Sequence, residues 1–190
     1  MRGQRGNTLM EVLVGLSVFA AASLGIFAGF KASLTGWEVT QQFTSEQQSA
    51  RATLEWVSRR VRMIGVGYTG TAPTVDTAQA NEIRYWVGAE CYRIYLSAGT
   101  IQQQTGAACG TGTSRPLASD RDAGQLTVTS LTFRYFNAAT GGGGPGTAEM
   151  PAPVLGDDRY LIKRVEIGIA VQGTQGAFGL ATQATVRNGR

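Results

Sequence analysis

Histidine does not occur anywhere in this sequence. Its absence removes the commonest general base and the commonest metal ligand, and with them every Ser/His or Cys/His nucleophile pair. Cysteine is nearly absent too, with Cys91 and Cys109 the two in the chain. Two cysteines without a histidine cannot complete a zinc site. The 26 glycines show no three-residue period, which excludes a collagen-like chain, and 43% hydrophobic residues exclude a disordered one. Charge is missing from one stretch above all: no Asp, Glu, Lys or Arg occurs from Val12 to Phe30. No enzyme activity, metal or cofactor is expected from this inventory.

The uncharged stretch is the feature around which the chain is organised. About 19 residues at ~1.5 Å each make a helix of nearly 30 Å, roughly the thickness of bilayer hydrocarbon. Ahead of it, Met1 to Gly6 form a short polar leader with Arg2 and Arg5, a basic flank that favours an N-terminus held in the cytoplasm. Glu11 breaks the pattern, because an unpaired carboxylate at the edge of a membrane costs at least a few kcal/mol. Two readings follow. Glu11 marks the interface and reaches back to water, or it is neutralised by an ammonium group one helical turn away. Cleavage after Gly6 would supply that group, since Asn7 would become the new N-terminus and Glu11 the fifth residue of the mature chain.

Gly6-Asn7-Thr8-Leu9-Met10-Glu11 and the apolar run behind it resemble the class III signal of type IV pilins and type II secretion pseudopilins. The resemblance implies cleavage by a prepilin peptidase between Gly6 and Asn7, N-methylation at Asn7, and use of Glu11 in inter-subunit docking. Asn7 departs from the family's usual phenylalanine or other apolar residue, which bears on methylation more than on cleavage.

Beyond Lys31 the helical pattern continues past Gly36, a soft point. Apolar positions recur at Val39, Phe43, Ala50, Leu54, Val57, Val61 and Ile64, one stripe along a helix. Gln41, Gln48, Arg51, Arg59 and Arg62 occupy the opposite face, with Glu55 spaced to pair with Arg59. Gly65 and Gly67 end the helix after basic last turns. Gly15, Gly25 and Gly29, with Ala20, Ala21, Ala22 and Ala28, offer surfaces where helices can approach closely. Segment 65–81 reads as a loop. Glu82–Trp86 and Cys91–Leu96 read as strands, with a short strand near Ile101 in an otherwise polar interval. Leu126–Phe136 is a strand whose alternation breaks near Ser130, a bulge or a change of face. Gly141 to Gly146 reads as a flexible loop, within a loop 138–153, and lacks the residues of a phosphate-binding loop. Leu161–Val171 and Phe178–Val186 close the chain as strands. Successive strands with short polar connections point to an antiparallel sheet, one face free to receive the helix stripe.

The formal charge is +4, of which Arg2 and Arg5 carry two, and the remaining arginines are spread along the chain rather than gathered into a nucleic-acid surface. Asp120-Arg121-Asp122 and Asp157-Asp158 carry oxygen ligands but match no EF-hand spacing. Trp37 suits an interface position, and Trp56 and Trp86 suit packing. In a translocated, oxidising domain Cys91 and Cys109 would close a disulfide; two free buried thiols are the alternative.

Ala50 to Tyr68, Leu131 to Phe136, Arg164 to Ile167 and Val186 to Asn188 resemble PilW-type minor pilins and the J pseudopilins of type II secretion. The expected fold class is α+β and pilin-like, a long N-terminal helix packed on an antiparallel sheet. The expected divisions are a leader at 1–6, a membrane and assembly helix at 7–30, its amphipathic continuation at 31–65 and a sheet domain at 66–190. The implied role is a minor-pilin-like structural subunit, primed in the inner membrane and placed in a pilus, the periplasm or the cell surface. Its partners would be other minor pilins, the major pilin and the inner-membrane assembly platform. The alternatives are a J pseudopilin and a tip module that binds DNA or surfaces.

Overall fold

The computed structural model describes residues 9–117, 127–137 and 148–186. The chain falls into two compact units, Met1–Thr44 and Ser45–Arg190. Helix α1, Leu9–Arg62, supplies residues to both.

In the first unit every described residue up to Gln42 is exposed, including Leu9, Leu16, Phe19, Ile26 and Phe27. The helix is long and apolar enough to cross a membrane. Three of its hydroxyls bond back to the helix's own main chain: Ser17 Oγ donates to Val14 O at 2.8 Å, and Thr35 and Thr40 donate one turn back to Lys31 O and Gly36 O. Gly36 does not interrupt the helix, because its neighbours carry the hydrogen-bond ladder through it.

The second unit holds the core. Ala50, Leu54, Val57 and Val61 of α1, with Ile64 just beyond, pack among residues of both sheets. The exposed Glu55–Arg59 pair, 3.2 Å apart, contributes a few tenths of a kcal/mol at most. The helix stops at Arg62, short of the end of the expected 31–65 continuation. Met63 and Ile64 donate to the carbonyls three residues back, and Gly65 and Gly67 then turn the chain at positive φ.

Among the described residues nine strands form two antiparallel sheets where the sequence suggested one. The first, in order β1-β2-β3-β4-β5, joins Val75–Ala78, Glu82–Val87, Glu90–Ser97, Thr100–Gly106 and Thr113–Pro116. The second, in order β7-β6-β8-β9, joins Ala148–Met150, Thr127–Asn137, Ile162–Gly173 and Gly176–Thr185. A six-residue 3-10 helix, Gly156–Leu161, leads into β8.

β6 carries the register break expected near Ser130, a shift between Val128 and Ser130 that lets Val128 and Leu131 both face the core. It also ties the sheets together. Phe133 N–H donates to Ala80 O at 2.7 Å and Val128 N–H to Gly99 O at 2.9 Å, so turn tips of the first sheet meet β6 of the second.

Four segments differ from the sequence reading. β1 lies in the expected 65–81 loop, held by pairing with β2 through a bulge that destroys any visible alternation. β4 extends well past Ile101, and β5 follows it. Their polar residues pair through the main chain, and buried Gln103 is satisfied on its nitrogen by Thr105 Oγ1 at 2.9 Å. β7 occupies part of the expected 138–153 loop, fixed by three pairs with β6. The glycine run, Asp120-Arg121-Asp122 and Val186's neighbours Arg187 and Asn188 lie outside the described residues.

Two buried tyrosines differ in a testable way. Tyr135 Oη donates to Gln79 O at 2.8 Å, whereas Tyr85 Oη is fully buried with no partner. Burial pushes both phenols well above their ordinary range. Tyr135→Phe should cost about 1–2 kcal/mol, and Tyr85→Phe should cost nothing or stabilise by up to ~1 kcal/mol. Urea unfolding of the full chain in detergent, followed by tryptophan fluorescence, checks both.

Candidate functional site: the N-terminal helix and its acidic residue

The candidate site begins where charge stops. Glu11 lies in the first turn of α1, where the helix N-terminus favours a carboxylate. It is exposed and has no ion pair or hydrogen bond among the described residues. Below it the helix presents only apolar and small side chains as far as Lys31. A Cβ added at Gly15, Gly25, Gly29 or Gly36 would meet nothing within 4 Å. Nothing among the described residues therefore requires glycine there. An acid without a partner among the described residues and glycines with open space around them both suit a surface completed by another helix. Gly6 and Asn7 lie outside the described residues.

Residues 1–27 match the prokaryotic N-terminal methylation motif. The chain carries a prepilin-type N-terminal signal. No curated protein matches it. The signal, the apolar helix and the antiparallel sheets together make an α+β, pilin-like architecture. They support a type IV pilin- or pseudopilin-like protein and point to a structural one. A prepilin signal implies processing by prepilin peptidase and assembly with other pilins, and it fits a protein anchored in the inner membrane.

The second unit supplies the scaffold behind the signal. Cys91 on β3 and Cys109 in the β4–β5 loop are joined as a disulfide, Cα atoms 5.0 Å apart. The loop it fixes lies over the outer face of the first sheet, where Gln104 Nε2 donates to Gly112 O at 3.2 Å. On that face Glu82, 8% exposed, accepts from Arg84 Nε at 2.5 Å and Arg93 Nη2 at 2.6 Å. Burial raises the Glu82 carboxyl, but the two arginines outweigh it and hold the group below its ordinary value. Arg93 also stacks over Tyr95 at 4.1 Å from the ring centre. Trp56 packs under Arg60 and Trp86 stacks on Tyr68, while Trp37 is exposed in the first unit.

Glu46 went unremarked in the sequence. It is buried, and its carboxylate accepts the Thr174 N–H at 3.1 Å, tying α1 to the β8–β9 turn. Its spacing was a usable signal, because Glu46 lies four residues before Ala50 in the apolar stripe. Among the described residues no group of three or more His, Cys, Asp or Glu is placed to hold a metal ion. Asp157 and Asp158 sit exposed in the first turn of the 3-10 helix.

Proposed function

We propose that the chain is a minor-pilin-like subunit of a type IV pilus, incorporated into the filament or priming its assembly after cleavage between Gly6 and Asn7. The observation that carries this reading is the methylation motif at residues 1–27, set directly on an exposed apolar helix. Residues 1–6 are the leader, and the helix from Asn7 serves first as membrane anchor and then as packing surface. The new amine at Asn7, the proposed methylation site, pairs with Glu11 of a neighbouring subunit. Burying opposite charges together avoids leaving either alone in lipid. The sheet unit faces away from the cytoplasm, where oxidation of Cys91 and Cys109 is favourable. Other minor pilins, the major pilin and the inner-membrane assembly platform are the partners this role requires.

The same physics serves a J pseudopilin of type II secretion, and the machine encoded beside the gene discriminates the two. The decisive test is recovery of the chain in filaments sheared from cells. It should be present when prepilin peptidase is active and confined to the membrane fraction when the peptidase is deleted. A chain that never leaves the membrane fraction in peptidase-positive, piliated cells would overturn the filament role.

A further inference from the structure

We propose that the outer edge of β9 is a docking site that takes up an extended acidic segment of another protein chain as an added strand. The proposal rests on the second unit alone and does not depend on the filament reading.

The sheet edges are treated very differently. β1 is four residues long, bulged, and bridged at Ala78 by Val154. β5 is four residues and carries Arg115 and Pro116. β7 is three residues and carries Glu149, and the carbonyls of the first sheet's turn tips accept N–H groups from neighbouring parts of β6. Short strands, bulges, charges and proline are how natural sheets block unwanted pairing. β9 has none of them. It runs ten residues without proline or charge, in unbroken register with β8 from Gly176 to Thr185.

The direction of its free groups follows from the ladder. Val186 N–H donates to Lys163 O at 2.8 Å, so these two stand at a hydrogen-bonding position of the ladder. Antiparallel pairs alternate. Ala184, Thr182, Leu180 and Phe178 therefore bond to β8, and Gly179, Ala181, Gln183 and Thr185 turn their N–H and C=O groups outward.

The surroundings select the occupant. The inner row of β8 is fully buried, yet Phe178, Leu180 and Thr182 of β9 are only half-buried. A groove of about 230 Å³ runs between this strand and α1. Arg51, Ser58 and Arg62 line its helix side. Ser58 is 1% exposed, and its Oγ has no hydrogen-bond partner. Arg51 and Arg62 have no ion pair among the described residues, whereas Glu55 in the same groove is engaged by Arg59. The groove is thus positive. Eleven helical positions separate the two arginines by about 16 Å, the span of about five extended residues. A strand added to β9 gains main-chain hydrogen bonds, and acidic side chains at its two ends gain arginine partners.

The test titrates the full chain, in detergent micelles, with a labelled eight-residue peptide of alternating valine and glutamate. The expected result is saturable binding that protects the Ala181 and Gln183 amides from hydrogen exchange. Ala181→Pro removes an outward N–H without touching the β8 ladder and should weaken binding at least tenfold. Arg51→Glu combined with Arg62→Glu should do the same, as should a valine–lysine peptide. Circular dichroism and an unchanged unfolding midpoint verify that each variant is folded, and exchange on the unsubstituted chain gives a readout free of any variant. No binding, binding indifferent to Ala181→Pro, or equal binding of the lysine peptide would overturn the proposal. So would a dimer of the chain that Ala181→Pro dissolves, since the occupant would then be a second β9.

Discussion

Glu11→Ala is expected to reach the membrane and lose its leader, yet its share in sheared filaments should fall at least about tenfold relative to the membrane pool. An ionised carboxylate entering an apolar helix bundle costs at least a few kcal/mol unless an opposite charge meets it. Conversely, once Glu11 is gone, the amine of a neighbour is left buried alone, and removing one partner of a buried pair is more damaging than never having had the pair. Each kcal/mol lost multiplies the dissociation constant about fivefold, so even partial burial gives a measurable drop. Glu11 has no partner within its own described surroundings, so the alanine variant should not affect folding of the sheet unit. Quantitative immunoblotting of filament and membrane fractions measures the ratio. If Glu11 only marks the membrane interface, the ratio will match that of the unsubstituted chain.

The second large effect is expected on stability. Replacing both Cys91 and Cys109 by serine should lower unfolding free energy by about 3 kcal/mol, because the bond closes a loop of moderate length in the unfolded chain. The folded state loses order as well. The 107–112 segment is held against the sheet by that bond and by the Gln104–Gly112 contact, with Gly110 close to Arg84. Urea unfolding of the full chain in detergent should show the loss. A reducing agent should lower the midpoint of the unsubstituted chain by a similar amount and leave the double serine variant unmoved. Equal midpoints in oxidising and reducing buffer would show that the loop is held by other contacts.

What could be read from the sequence follows from where the physics is local. A charge-free run, a basic leader and one misplaced acid need no tertiary partner to be recognised, so the signal and the helix were visible at once. The stripe from Ala50 to Val61 and the strands with clean alternation, such as β8 with Val165, Ile167, Ile169 and Val171 buried, were equally legible. The break near Ser130 could be placed because a bulge shifts a period of two. What stayed hidden is non-local. β1, β5 and β7 are three or four residues long and exist because longer strands or turns accept them. Division into two sheets is decided by pairing order, which periodicity does not encode. Glu82 between two arginines arises only when β2 and β3 align Arg84 opposite Arg93. Glu46 finds its partner 128 residues away, at a turn that composition shows only as Gly173-Thr174-Gln175-Gly176.

Everything proposed for the helix depends on a new amine forming at Asn7. Intact-mass and peptide mass spectrometry of the protein recovered from its native membrane measures this directly. The account predicts a mature chain that begins at Asn7 with a methyl group on its amine and retains the Cys91–Cys109 bond. A chain recovered from peptidase-positive cells with the Gly6–Asn7 peptide bond still intact would contradict it.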